Sequence, residues 1–360
     1  LEYKIFIEGG FNVEKIGMGV IGAGIWGESH AWIYSTEPFA ELIAVCDVVE
    51  SKAKQLAEKY HARRWYTDVE KMMKDPEIQA VGIATPDFAH RDPFIAACQA
   101  GKSILLEKPL ATNENDLKAM RVAYRESGVR VMVDFHARWN PPLVVAKKNI
   151  DQGTIGDIIS MYYRLNDTIY VPTQMLSWAA KSSILWFLGS HTVDTLRFLS
   201  GQEVKRVYSV SRSEVLMKQG INVPDIYQSV LEFENGIIAT IENNWIIPNS
   251  HPNWNDIKLN ILGSKGMFNM DLTNNQAIER YLENKSDHPD ILVMPTIHGK
   301  PMGFAHESIR DFILRLRTGT DFIVGFEDGD RVSAVILAIM ESARTRMPVE
   351  VRYDEKNSKQ

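Results

Sequence analysis

The chain has 360 residues, 45% of them hydrophobic and 24% charged, a size and composition that can bury two ordinary cores without disulfides or metals. Its net charge of −6 and pI near 5.9 argue against nucleic acid or an anionic membrane surface as the main partner. No apolar run reaches the length of a membrane span, residues 1–10 lack the basic and apolar stretches of a signal peptide, and Cys46 and Cys98 stand in no CxxC or Cys/His cluster. The expectation is a cytoplasmic protein with two buried thiols, no metal site and no membrane partner.

Residues 1–13 read as an irregular extension ahead of the first strand. Strand-like segments then follow at 15–21, 40–46, 80–84, 103–106 and 130–135, with helical segments between them at 26–35, 51–60, 69–74, 88–100 and 115–127. Repeated βα units imply a doubly wound parallel sheet of the Rossmann type, helices on both faces. The strands are apolar without alternation, as strands buried on both sides should be. The pattern changes at 140–142. A helix at 143–151 leads through Gly153 and Gly156 into strands at 158–165, 206–213, 227–234, 237–245, 257–262 and 266–271. A helix at 184–199 interrupts them, and helices at 305–318 and 328–345 follow. Asn235-Gly236 is a hairpin signal, and 263–266 a second turn. The second half is therefore an α+β domain with a large, mostly antiparallel open sheet. The polar 354–360 reads as a frayed end.

Gly22-Ala23-Gly24-Ile25-Trp26-Gly27 is a GxGxxG motif that follows a strand and opens a helix, the context that gives it meaning. The first glycine permits the tight turn, the second lets a pyrophosphate approach, and the third allows close helix–strand packing. The helix N-terminus offers free N–H groups to phosphate. Asp47 ends the next strand, where a carboxylate accepts hydrogen bonds from the adenosine ribose hydroxyls and repels a 2′-phosphate. No arginine follows it in Val48-Val49-Glu50, so NAD is preferred over NADP. The division reads as a dinucleotide-binding domain at 14–138 and a substrate-binding and oligomerisation domain at 139–353.

Further motifs stand at the ends of later strands: Thr85-Pro86 with His90 four residues on, Glu107-Lys108-Pro109, and Asp134-Phe135-His136-Ala137-Arg138-Trp139-Asn140-Pro141. Gly189-Ser190-His191-Thr192-Val193-Asp194 opens a helical turn, and Glu341-Ser342-Ala343-Arg344 lies near the end. In this order the set resembles the glucose–fructose oxidoreductase/inositol dehydrogenase (Gfo/Idh/MocA) family, over nearly the whole chain after residue 14. The resemblance implies an NAD-dependent oxidoreductase acting on CH–OH groups of a sugar, inositol or related polyol. It implies that Gly22, Gly24, Ile25, Trp26, Asp47, Thr85, Pro86, His90, Glu107 and Lys108 line the NAD site. It also implies a homodimer or homotetramer formed through the open sheet.

Oxidising a carbinol requires a base and an electropositive environment for the developing alkoxide. Lys108 is the leading candidate to polarise the reacting oxygen; partial desolvation beside a positive nicotinamide would draw its pKa down to roughly 7–8. A lysine that only binds ribose is the plainer reading. Glu107 either steadies Lys108 or contacts ribose. His191 is the second candidate, a neutral imidazole suited to proton relay near its intrinsic pKa, against the plainer reading of a structural histidine at a helix start. The resemblance also brings His136, Arg138, Arg164 and Trp178 to the cleft, where aromatic faces suit sugar C–H surfaces and arginines suit hydroxyls. Asp194 joins them as a substrate contact or serves as a first-turn acid. His251, His288, His298 and His306 have no metal-ligand spacing and read as surface or loop residues.

One position departs from the family pattern. Relatives place an aspartate four residues before the helix-opening histidine; here that residue is Phe187, and the preceding glycine-rich stretch reads Ser182-Ser183-Ile184. Three explanations stand. The relay runs through Lys108 and His191 alone, another acid such as Asp167 or Asp194 substitutes, or dehydrogenase turnover has been lost. Three functions stand beside one another: a dehydrogenase or reductase of a sugar, inositol or polyol, an enzyme with tightly held and internally recycled NAD as in sugar 3-oxidation or NAD-assisted glycoside cleavage, and a non-catalytic cofactor-bound sensor.

Overall fold

Six short segments pair in parallel in the first half of the chain: β1 (Ile16–Ile21), β2 (Ala40–Cys46), β3 (Arg64–Tyr66), β4 (Ala80–Ile83), β5 (Ser103–Glu107) and β6 (Val131–Asp134). Their order in the sheet is β3-β2-β1-β4-β5-β6. The computed structural model describes residues 14–273 and 277–354. The extension expected over 1–13, and 355–360 of the polar tail, lie outside the described residues. Asp354 itself is not frayed: its carboxylate accepts from Arg125 at 2.8 Å.

Parallel neighbours require crossovers, and α1 (Ile25–Thr36), α2 (Glu50–Lys59), α3 (Val69–Met73), α4 (Arg91–Gln99) and α5 (Glu114–Ser127) supply them. The chain direction of travel reverses between β1 and β4, which opens a crevice at the C-terminal ends of those strands. The sequence reading missed β3, which is three residues long, largely exposed and at the sheet edge, so it carries no apolar run. The helix expected from residue 88 begins at Arg91, because Asp87–Ala89 forms a separate 3₁₀ turn. α5 starts where the Asn113 side chain accepts from the Asp116 N–H and stops at Gly128, whose φ of 63° is left-handed.

After α6 (Pro141–Asp151) the second sheet is built from β7 (Ile158–Asp167), β8 (Val204–Arg212), β9 (Ile226–Phe233), β10 (Ile238–Asn244), β11 (Asn255–Gly263) and β12 (Met267–Asp271). The order is β12-β11-β7-β10-β9-β8, and the pair Val349–Glu350 closes the far edge. Every contact is antiparallel except β7 with β10. Gly236, at φ 90°, makes the β9–β10 turn, and the N–H of Gly263 donates to the Gly266 carbonyl across the β11–β12 turn at 2.8 Å. One face is covered by α7 (Ser190–Ser200) and α9 (Phe326–Thr345); among the described residues the other face stays open, with Tyr208, Val230 and Ile238 exposed on it. Along β7, Met161, Tyr163, Leu165 and Asp167 are buried, while Ser160, Tyr162 and Arg164 are partly exposed. That alternation decides which side chains reach the cleft. α8 (Phe304–Thr318) returns to pack on β6 and α1. The single helix expected at 184–199 is in fact a π turn, Leu185–Gly189, running into α7. Cys46 and Cys98 are buried and unpaired, and burial pushes their thiols up to about 12 and about 11. Among the described residues, no helix is long and apolar enough to cross a membrane.

Candidate active site

The glycine loop sits between β1 and α1. Gly22 has φ +99°, and a Cβ there would lie 2.6–2.8 Å from the main chain of Ala84 and Thr85 at the end of β4. A Cβ on Gly27 would fall 1.8 Å from the Gly22 carbonyl oxygen. A Cβ on Gly24 meets nothing within 4 Å, so this position opens onto free space. Gly24 is also the N-cap of the 12-residue α1, whose first N–H groups have no side-chain acceptor, leaving them available to an anion. Asp47 accepts the Ala23 N–H on Oδ2 and the Val49 N–H on Oδ1, both at 2.8 Å. It therefore fixes the loop while standing at its rim. These features fit a dinucleotide pyrophosphate with its ribose at Asp47. Gly24→Ala is expected to keep its melting temperature yet lose at least about tenfold in NAD affinity, roughly 1.4 kcal/mol, by equilibrium titration. Gly27→Ala is expected to lose stability as well, because the clash is internal.

Lys108 follows β5 directly and is buried. Its Nζ donates to the Phe187 carbonyl at 2.5 Å and lies 4.4 Å from the centre of the Phe187 ring. Burial lowers its pKa, against the opposing pull of Glu107, Asp87, Asp167 and Asp134. The direction expected from the sequence is thus met by desolvation. Two of those carboxylates border Lys108 from opposite domains. Asp87, in the turn before α4, accepts from the Ser182 hydroxyl, keeps Oδ1 without a partner among the described residues, and is pushed by burial up to about 6. Asp167 ends β7, accepts from the Asn255 amide, and keeps Oδ2 similarly free. The sequence reading missed Asp87, although it directly follows Thr85-Pro86.

His191 and His136 meet with ring centres 4.6 Å apart, and His136 stacks on Trp26 of the glycine loop at 5.0 Å. This brings three predicted residues from β1–α1, the segment after β6, and α7 into one wall. The Nδ1 atoms of both histidines lack partners among the described residues. Burial, reinforced by nearby positive charge, lowers His136 to about 3 and His191 well below its usual value. His191 is therefore neutral throughout the physiological range, not poised near its intrinsic pKa as the sequence implied.

A family model described as an oxidoreductase family with an NAD-binding Rossmann fold matches residues 16–135, and one for the oxidoreductase family's C-terminal alpha/beta domain matches 147–351. The chain belongs to the Gfo/Idh/MocA oxidoreductase family. It is 28% identical to the levoglucosan dehydrogenase of Pseudarthrobacter phenanthrenivorans, over 94% of this chain and 99% of that one. It is 29% identical to scyllo-inositol 2-dehydrogenase (NAD(+)) of Bacillus subtilis, over 94% and 96%. A solved levoglucosan dehydrogenase in complex with NADH superposes with a TM-score of 0.81 at 25% identity, covering 95% of this chain and 100% of that one.

Several residues that the Gfo/Idh/MocA resemblance brought to the site do other work here. Arg138 forks onto Asp194 at 2.6 and 3.0 Å, and spends its remaining contacts on Asp328 at 2.9 Å and the Ile323 carbonyl at 3.0 Å. Both members of the pair are buried, which removes Asp194 and Arg138 from the substrate surface. Arg164 stands on the partly exposed side of β7 and pairs with Asp256 at 2.9 Å, on the sheet face opposite Asp167. His90 places its ring nitrogens 2.7 Å from the Pro109 carbonyl and 3.1 Å from the Thr85 carbonyl. Burial holds it neutral, at about 4. It bolts the Thr85-Pro86 turn to the Glu107-Lys108-Pro109 segment from beneath and is 1% exposed. Thr85 in turn donates to the Ala89 carbonyl at 3.2 Å. His306 is not a surface residue: it is buried on α8, with Nε2 3.3 Å from the Ser29 hydroxyl. Trp178 keeps its place beside the site, edge-on to Phe187 at 6.3 Å and to Phe88 at 6.2 Å.

Glu107 is buried and acts on Lys108 through its charge. Its Oε1 lies 3.1 Å from His30 Nε2, and Asp134 completes a buried group whose ligand-type atoms fall within 4.8 Å of one another. Neither Asp134 oxygen has a donor among the described residues. Burial raises Glu107 to about 7 and Asp134 well above the carboxylate range, so this pair retains a proton at neutral pH.

Proposed function

We propose that the chain is an NAD-dependent dehydrogenase that moves a hydride between nicotinamide and a carbinol or carbonyl of a sugar, inositol or related polyol. The observation that carries the reading is Lys108: a buried ammonium at the C-terminal end of β5 with a single hydrogen-bond acceptor among the described residues, beside a neutral His191. An ammonium offers three donors, so it can serve the reacting oxygen as well as the Phe187 carbonyl. When bound, NAD takes up the hydride. Lys108 stabilises negative charge on the oxygen, His191 orients the hydroxyl and relays the released proton towards solvent, and the glycine loop and Asp47 hold the dinucleotide. His136 and Trp178 are the remaining substrate contacts. Asp47 supports a preference for NAD over NADP, because a 2′-phosphate would meet its carboxylate at the loop rim. The working division falls between residues 138 and 139.

The open face of the second sheet supports a homodimer or homotetramer. Tyr208, Val230, Thr240 and Tyr162 stand in register across four strands of that face, and Ile238, Leu262 and Met267 are exposed beside them. Two buried free thiols and the acidic pI support a cytoplasmic location. The test is reduced-nicotinamide absorbance on mixing the protein with NAD or NADP and a panel of anhydrosugars, inositols and free sugars. A rise with one stereochemical class, stronger with NAD, is the expected result. No rise with any of them, at substrate-level protein, would count against the reading.

A further inference from the structure

The carboxylate that relatives place at residue 187 is missing, and Asp194 is spent on Arg138. The space beside Lys108 is nevertheless not without acids. β7 packs against both α7 and the π turn that carries Phe187, and the charge of its last residue acts on Lys108. That residue is Asp167. It is 2% exposed, lies on the buried face of the strand, and is held by the Asn255 amide on Oδ1 while Oδ2 has no partner among the described residues. A buried carboxylate oxygen without a donor is costly unless it takes up a proton or meets a bound group.

We propose that Asp167 is the proton acceptor of the oxidation, replacing from β7 the carboxylate lost at Phe187. The inference rests on the dehydrogenase reading above. In the oxidation the substrate O–H bond breaks and its proton forms a bond to Asp167 Oδ2. The C–H electron pair leaves as hydride to NAD, giving the carbonyl, NADH and a protonated Asp167, which later releases its proton to water. Reduction is the reverse, with Asp167 as the acid. Asp87 is the alternative, with the Ser182 hydroxyl on Oδ2 and Oδ1 without a partner among the described residues; it comes from the turn before α4, whereas Asp167 ends the strand that packs on both α7 and the turn of Phe187.

The groups around Asp167 set the sign of its pH dependence. Burial pushes its carboxyl up to about 8, opposed by the positive charge of Lys108 and the Asn255 amide. Asp87 and Glu107 act across Lys108, and His191 from α7 is neutral. The base form is thus gained as pH rises through about 8, so oxidation should rise and reduction fall across that range.

The experiment compares wild type, Asp167→Asn and Asp87→Asn, each with NAD and the polyol that the wild type oxidises. Asp167→Asn is expected to lower kcat by about 10²–10⁴-fold with KM within about threefold, and to remove the limb near pH 8. Infrared difference spectra of the three proteins over the same pH range supply a readout without turnover. Beside the signal of the protonated Glu107–Asp134 pair, one further protonated-carboxyl band should vanish as pH rises through about 8 in the wild type and in Asp87→Asn, and this further band should be absent from Asp167→Asn. Retained kcat in Asp167→Asn, loss confined to Asp87→Asn, or an unchanged band in Asp167→Asn would each overturn the proposal. If the wild type oxidises no polyol, the dehydrogenase reading fails. The assignment of Asp167 then falls with it, whereas the outcomes above leave that reading standing.

Discussion

Lys108→Ala is expected to lower kcat/KM for the oxidised polyol by about 10²–10⁴-fold while leaving the NAD dissociation constant within a few-fold of wild type. The ammonium is backed by the Phe187 ring, and Asp87 and Asp167 act on it electrostatically. Removing it takes away the stabilisation of the developing alkoxide, which grows along the reaction, so the loss should appear in kcat. The glycine loop and Asp47 are untouched, so dinucleotide affinity should survive. The variant should also fold. A desolvated ammonium contributes little to stability, and the carboxylates left behind can take up protons. Lys108→Arg is not expected to rescue, because the planar guanidinium needs more room than the single acceptor at Phe187 allows. Steady-state kinetics beside isothermal titration with NAD checks both halves. Unchanged turnover would remove Lys108 from the chemistry.

Asp194→Ala is expected to destabilise the protein by about 3–5 kcal/mol, read as a lower midpoint of chemical denaturation. Arg138 and Arg197 are both buried here, and their counter-charges are Asp194, Asp328 and Glu203. Deleting Asp194 leaves Arg138 with Asp328 and the Ile323 carbonyl, so a buried cation loses its bidentate partner. A substrate-contact role would have the opposite signature: a raised KM and an unshifted denaturation midpoint. Asp194→Asn keeps the shape and one hydrogen bond, so it should fall between wild type and Asp194→Ala.

The contrast between these two residues shows where the sequence is informative. The Rossmann half is legible because buried parallel strands announce themselves as apolar runs, and because the glycine loop must sit between a strand and a helix. β2 matches its expected span of 40–46, and the hairpin at Asn235-Gly236 forms as expected. Trp26, His136 and His191 stand together, and the charge of Lys108 acts on both histidines. What the sequence hid depends on partners far away in the chain. Arg138 meets Asp194 across 56 positions, so its loss to the core is invisible from its own segment. Arg164 and Asp167 are three residues apart and point to opposite faces, which only the register with β10 and β11 fixes. The π turn at Leu185–Gly189 has no local signal, yet it carries the Phe187 carbonyl that Lys108 uses. β3 is too short and exposed to show a period.

The central claim is hydride transfer from a polyol carbon to nicotinamide, and the most direct measurement follows the hydrogen itself. The protein is incubated with NAD and a polyol deuterated at its carbinol carbons, then denatured, and the released nicotinamide is examined by mass spectrometry and NMR. The account predicts deuterium on the nicotinamide ring, matched by the oxidised polyol, and its absence in Lys108→Ala. Nicotinamide free of deuterium with every polyol tried, while NAD is bound, would contradict it.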